Sequence, residues 1–251
     1  MTINIKSIYH SKNLDQKYFD RQMSNPYEST KSFFKFLNKE INLENKRIVD
    51  LACGNGANLL YLKRNYNTNE CFGLDQNKSL LKTAKYFAKK RKIKNIRFLK
   101  QDIENTKNKI SNRMKSDGVI CIQTLSVLDD YKKAILFAKK FKPKFICVNS
   151  LFWKGAIDFK ITVNFLKKNK KKREIEKINK YNIYSIQHYL NFLSQNGFNK
   201  HKVIKFKSKK NFKTKDKNLM GSHTVKVNGK KETKSGPLIL EWFFILSQKE
   251  K

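Results

Sequence analysis

Residues 47–56 read Arg47-Ile48-Val49-Asp50-Leu51-Ala52-Cys53-Gly54-Asn55-Gly56. An apolar run, Ile48-Val49, meets the acid Asp50. The small-residue turn Ala52 to Gly56 then opens a helix-like stretch from Ala57. This is the pattern of a buried strand, a tight glycine turn and a helix N-terminus. Free backbone N–H groups and bare glycine Cα atoms let a nucleotide-like ligand approach closely at such a turn. A second strand-like run, Cys71-Phe72-Gly73-Leu74, ends in Asp75, where a carboxylate is placed to accept two hydrogen bonds from a ribose diol. A third, residues 96–101, ends in Asp102.

The rest of the chain continues this rhythm. Strands are expected at 47–52, 70–75, 95–101, 117–122 and 144–149. Helices are expected at 56–66, 77–91 and 129–141, with a short one near 104–111. The 77–91 helix carries Leu80, Leu81, Ala84, Phe87 and Ala88 at helical spacing. Asp117-Gly118-Val119-Ile120-Cys121-Ile122 is nearly continuously apolar, as a central parallel strand requires. Strands alternating with helices predict a parallel sheet covered on both faces. Ser29 or Thr30 is the expected cap of an N-terminal helix bearing Phe33, Phe34, Phe36 and Leu37.

After the fifth strand the period changes. Ile157, Phe159, Ile161, Val163 and Phe165 alternate with polar residues, so 156–181 reads as a β-hairpin insertion with the lysine run 167–172 at its tip. A helix at 185–196, ended by Gly197, and a strand at 200–207 follow. Asn228-Gly229 between two short runs marks a second hairpin. The last strand is expected over 238–246.

The glycine-turn segment, Asp75 and Asp102 together resemble the class I S-adenosylmethionine-dependent methyltransferases, over roughly residues 45–150. The first motif of that family is an apolar pair, Asp, and a Gly-Cys-Gly-x-Gly turn. Here Ala52 stands where glycine is usual. The resemblance implies an α/β fold: a Rossmann-like seven-stranded, mostly parallel sheet whose last strand runs antiparallel between strands five and six. It implies S-adenosylmethionine as cofactor, with Asp75 at the ribose and Asp102 at the adenine. The implied cofactor contacts are Asp50, Ala52, Cys53, Gly54, Asn55, Gly56, Asp75, Gln76, Asp102, Ile103 and Gln123. The rival is a dinucleotide-binding domain, whose fingerprint needs a third glycine; Leu59 stands there instead. The organisation expected is a helical extension, 1–46, and a methyltransferase domain, 47–251, with cap insertions near 156–181 and 222–233.

Charge needs separate treatment. The formal net charge is +36, but of 56 basic residues only seven are Arg and 49 are Lys. A groove selected for phosphate recruits Arg for its bidentate geometry, so the lysines are read as a solvated coat. A basic RNA-binding or RNA-modifying protein on the same fold is the alternative. The cysteines Cys53, Cys71, Cys121 and Cys147 have no metal or redox spacing and read as reduced core thiols, so no metal is expected. The N-terminus lacks the apolar stretch of a signal peptide, and no run approaches the roughly 20 apolar residues of a membrane span. A cytoplasmic protein without a membrane partner is expected.

Ligands of open α/β sheets sit at the carboxyl ends of the strands. The glycine turn, Gln123-Thr124-Leu125-Ser126, Asn149 to Trp153, and a loop holding His223 converge there. His223 is the candidate general base, because imidazole titrates near neutral pH. His188 reads as a surface residue. Neither Asn-Pro-Pro-Tyr nor Asp-Pro-Pro-Tyr, which binds a flipped base, follows the fourth strand. The Thr224–Lys230 hairpin and Ser235-Gly236-Pro237-Leu238 are similar to tails of bacterial methyltransferases in carbohydrate context. The function expected is methyl transfer to a hydroxyl or amine of a small molecule, sugars included.

Overall fold

The computed structural model describes residues 22–107, 110, 114–166, 175–208, 211, 222–235 and 238–250. Five apolar runs become the parallel strands β1 (Ile48–Leu51), β2 (Cys71–Asp75), β3 (Ile96–Lys100), β4 (Gly118–Ile122) and β5 (Phe145–Trp153). They are followed by β6 (Thr162–Leu166), β7 (Ile175–Lys180), β8 (Tyr184–Ser185) and β9 (Lys200–Lys205). The chain ends with β10 (Ser222–Val227), β11 (Lys230–Ser235), β12 (Leu238–Ile239) and β13 (Trp242–Gln248). The helices are α1 (Glu28–Ile41), α2 (Ala57–Asn65), α3 (Lys78–Lys90), α4 (Tyr131–Lys139) and α5 (Ile186–Gln195).

The main sheet runs β3-β2-β1-β4-β5-β13-β9, with β8 paired to the end of β5. β13 lies antiparallel between β5 and β9, as expected. Composition explains this order. Phe243 to Leu246 form a fully apolar, buried run suited to an interior position. β9 has Lys200, Lys202 and Ile204 exposed, and lysines guard an edge strand against pairing with another chain.

One face of the sheet is covered by α1, α2 and α3, whose Phe33, Phe34, Leu60 and Ala84 pack over Ile48, Cys71 and Phe244. The other is covered by α4 and α5 through Phe137, Tyr189 and Leu193. Phe33 and Phe36 of α1 hold the ring of Phe244 at 5.5 and 6.1 Å. The N-terminal helix is therefore part of the core.

Several expectations shift. Ser29 and Thr30 lie inside α1, whose N-cap is Tyr27 with no side-chain cap. Both hydroxyls turn inward instead: Thr30 Oγ1 donates to Asn58 Oδ1 at 3.2 Å and Ser29 Oγ accepts from Gln123 Nε2 at 3.2 Å. The short helix near 104–111 does not form over 104–107, which are turns; 108, 109 and 111 lie outside the described residues. In the first insertion the paired strands begin at Thr162, and Phe159 instead makes an isolated antiparallel bridge with Ile183. The lysine run 167–172 lies outside the described residues. The last strand divides: Leu238–Ile239 pairs with β11, and only Trp242–Gln248 enters the main sheet. Asn228 (φ +48°) and Gly229 (φ +75°) form the expected hairpin turn, both in the left-handed region.

Candidate active site

The site is built where β1 stops. Ala52, Gly54 and Gly56 have φ of +54°, +57° and +78°, so the chain doubles back sharply before α2. Glycine reaches these angles freely; an alanine there is strained by roughly 1–2 kcal/mol. The turn rests on a floor that the sequence reading missed. A Cβ on Gly73 of β2 would lie 2.6 Å from Phe98 and 2.8 Å from Cys53 Sγ, and one on Gly56 would lie 2.7 Å from Phe98. Both glycines are therefore required by close approach. The signal was present: an isolated glycine inside an apolar strand run marks such a contact.

Asp75 ties the turn to the next helix. Its Oδ2 accepts from the Gly54 N–H at 2.9 Å and its Oδ1 from the Asn77 N–H at 2.8 Å. Asn77 in turn caps α3, its Oδ1 accepting from the N–H groups of Ser79 and Leu80. Burial raises the Asp75 carboxyl, and these backbone donors hold it back down in part. Asp50 is more extreme. It is 1 % exposed, its Oδ2 has no hydrogen-bond partner, and burial followed by the charge of Asp75 pushes its carboxyl well above the ordinary range. An unpartnered carboxylate oxygen beside a glycine cradle suits a ligand that carries donors.

Beyond Asp75 a cleft of about 430 Å³ is lined by Gln76, Lys100, Gln101, Asp102 and Asn105. Two of the expected contacts, Gln76 and Asp102, thus share one cleft at the ends of β2 and β3, and Ile103 is buried beside them. Asn55 is buried in the turn and its Oδ1 accepts from the Ala57 N–H at 3.2 Å, pinning the start of α2. Gln123 follows β4 at φ +58°, its N–H bonded to the Asn149 carbonyl at 2.7 Å and its side chain to Ser29. All eleven expected cofactor contacts therefore lie at or beside the carboxyl edge of β1 to β4.

His223 belongs to a different sheet from this group. It is no loop histidine but a strand residue of β10, opposite Lys234, and 7 % exposed. His188 is a surface residue, as expected, with Nδ1 3.3 Å from Asp158 Oδ1. The four cysteines are free and buried. Burial raises every thiol, Cys71 to about 11, and at Cys53 the charges of Asp50 and Asp75 add to it, so none is a ready nucleophile. Among the described residues no cluster of ligands for a metal ion is found, and no helix is long and apolar enough to cross a membrane.

A family model described as a methyltransferase domain matches residues 42–197, more than half of the chain, and the chain belongs to that family. Solved structures share its fold. An S-adenosylmethionine-dependent methyltransferase from Clostridium acetobutylicum is 13 % identical with a TM-score of 0.57, covering 94 % of this chain and 98 % of its own. The N-terminal domain of EvdMO1, in the presence of S-adenosylhomocysteine and D-fucose, is 13 % identical with a TM-score of 0.58, covering 89 % and 84 %. The Burkholderia thailandensis 1,6-didemethyltoxoflavin-N1-methyltransferase, with bound 1,6-didemethyltoxoflavin and S-adenosylhomocysteine, is 11 % identical with a TM-score of 0.58, covering 98 % and 89 %. No curated protein matches the sequence. The chain is an S-adenosylmethionine-dependent methyltransferase. The orphaned Asp50 oxygen and the cleft beyond Asp75 fit that cofactor.

Proposed function

We propose that the methyl acceptor is a hydroxyl or amine of a small molecule, sugars included, held between the cofactor edge and the two hairpin insertions. One observation carries this reading. β5 ends at the rim that bears the glycine turn and Gln123, and β13, which runs antiparallel to β5, starts there. The connections to both insertions, 154–183 and 206–241, therefore leave and re-enter the sheet beside the cofactor. Insertions at this rim commonly set specificity. Two further observations support it. The segment after β4, Gln123 to Ser126, lacks the residues that clamp a flipped base. Exposed lysines spread over α1 (Lys35, Lys39), α3 (Lys82, Lys85) and α4 (Lys132, Lys133), so no single face is singled out for a phosphate backbone. D-fucose and 1,6-didemethyltoxoflavin, named with two of the structural relatives, are both small molecules.

In this reading residues 1–46 are an extension and 47–251 the catalytic domain with two cap insertions. Asp75 accepts the ribose hydroxyls, and Gln76, Asp102 and Ile103 border the adenine. Asp50, Ala52, Cys53, Gly54, Asn55, Gly56 and Gln123 hold the amino-acid end. S-adenosylmethionine supplies an electrophilic methyl when bound. What remains for the chain is to hold the acceptor in line and exclude water. For a hydroxyl acceptor, a ring nitrogen of His223 takes the proton.

Titration calorimetry with S-adenosylmethionine should give saturable binding. Transfer of a labelled methyl should then be followed across small-molecule, RNA and protein fractions of a cell extract. Label in the small-molecule fraction is expected; label confined to RNA or protein would overturn the acceptor class.

A further inference from the structure

Among the described residues six carry a buried side-chain oxygen or nitrogen with no hydrogen-bond partner: Asp50, Ser116, Tyr131, Asn149, Ser150 and Tyr189. Their positions separate them. Ser116 precedes β4, at the amino end of the sheet. Tyr131 and Tyr189 belong to the core under α4 and α5. Ser150 points to that same face, as its strand neighbours Val148 and Phe152 do. Asp50 and Asn149 lie on the opposite face, the one covered by α1. Asp50 pairs with Ile120, and Asn149 with Ile122 and Phe244, all three of which are in the α1-side core.

Asn149 is fully buried, and both Oδ1 and Nδ2 are orphaned. An amide brings one acceptor and two N–H donors into the strand, and leaving them unmet costs stability that an apolar residue of the same size would not. The first turn of α1 roofs this amide. Phe33 packs edge-on against Phe244, one cross-strand neighbour of Asn149. One turn earlier Ser29 accepts from Gln123, which directly follows Ile122, the other neighbour. Thr30 of the same turn donates to Asn58 at the start of α2. Polar side chains therefore gather under the start of α1, where the rest of that core is apolar.

We propose that the Asn149 amide binds the methyl acceptor, its Oδ1 accepting from a hydroxyl or amine and its Nδ2 donating to an oxygen or nitrogen of the same molecule. The proposed cofactor contacts end at Gln123, after β4; Asn149 stands on β5, one strand beyond. Only β4 separates it from the strand of Asp50, so the two strands lie about 10 Å apart. A cofactor whose amino-acid end meets Asp50 and an acceptor held at Asn149 then share one face of the sheet. The acceptor enters past the Ser29–Gln123 hydrogen bond, which is only part-buried. This assignment rests on the reading above in placing the acceptor on the β5 side of the cofactor.

Asn149→Leu removes both polar atoms at nearly constant volume and is the variant to test. An amide kept for a ligand should leave the free protein more stable once removed, so the melting temperature without cofactor should rise by about 2–4 °C. Binding of S-adenosylhomocysteine, followed by calorimetry, should stay within about threefold. Transfer of labelled methyl is then followed as the cell-extract fraction that takes the label is diluted. The variant should need about tenfold more of that fraction for half-maximal rate. Asn149→Ala repeats the binding and dilution measurements should the leucine variant lose S-adenosylhomocysteine. A lowered melting temperature in a leucine variant that still binds S-adenosylhomocysteine, or an unchanged requirement for the fraction, would overturn the proposal. So would equal losses of S-adenosylhomocysteine binding and of transfer in both variants, which would assign Asn149 to the cofactor. Label confined to RNA or protein would overturn the small-molecule reading alone, and the same dilution series would still decide the role of Asn149.

Discussion

Asp50 is the residue on which fold and function pull in opposite directions. A buried carboxylate with one orphaned oxygen destabilises the cofactor-free chain, because burial and Asp75 both oppose its charge. Its folded-state titration lies above the unfolded value. The stability it contributes is therefore full in acid and lost as pH rises from the ordinary carboxylate range through the raised value. Asp50→Asn should raise the stability of the cofactor-free protein by about 1–3 kcal/mol near neutral pH. It should also flatten the fall that sets in as pH rises out of the ordinary carboxylate range, and weaken S-adenosylmethionine binding. Thermal melts across pH and calorimetry check all three; a destabilised variant would contradict the account. Asp75 differs because it is partnered. Asp75→Ala frees the Gly54 and Asn77 N–H groups. It should cost roughly 1.5–3 kcal/mol of stability as well as at least tenfold in cofactor affinity, both readable by denaturant titration and calorimetry. Ala52 sits at φ +54° where glycine is relaxed. Ala52→Gly should stabilise by up to about 1 kcal/mol, the strain relieved exceeding the added chain entropy.

At the scale of elements, α1 and the β10–β12 sheet carry the testable claims. Phe33 is fully buried against Phe34 and Phe244, so Phe33→Ala should cost about 3–5 kcal/mol in a denaturant melt. An appended helix that merely rested on the domain would lose far less. The β10–β11 hairpin holds none of the proposed cofactor contacts. Replacing 224–233 by a short Gly-Ser linker should preserve S-adenosylmethionine binding and abolish methyl transfer. His223→Ala should lower turnover by roughly 10²–10⁴ if the imidazole takes the acceptor's proton. Turnover near the wild-type value would remove it from the mechanism. Element type was readable wherever period and length agreed. α3, α4 and α5 fall within two residues of their expected ends, since apolar spacing and the caps Asn77, Asp130 and Ser185 are local signals. Ser29 and Thr30 misled because a hydroxyl near a helix start is a cap only when the backbone leaves it outside the helix. Here Asn58 and Gln123, distant in sequence, offered the hydroxyls other partners.

For the molecule as a whole, lysines on both helical faces imply self-repulsion that salt should relieve. The melting temperature should therefore rise as sodium chloride is raised from low to moderate concentration; a flat response would mean that local ion pairs such as Lys202–Glu40 already balance the coat. The sequence by itself determined the strand–turn–helix unit at 47–56, the parallel sheet with its antiparallel last strand, and the placing of Asp50, Asp75 and Asp102 at or beside strand ends. Each rests on short-range patterns: apolar runs, glycine where φ turns positive, and acids at strand ends. Only the tertiary structure decided that Gly73 and Phe98 form the floor of the turn, that Ser29 reaches Gln123, and that His223 is buried in a strand. Those facts depend on which residues, far apart along the chain, meet when the sheet closes. No local pattern encodes such contacts, because packing is settled by the whole set of neighbours at once.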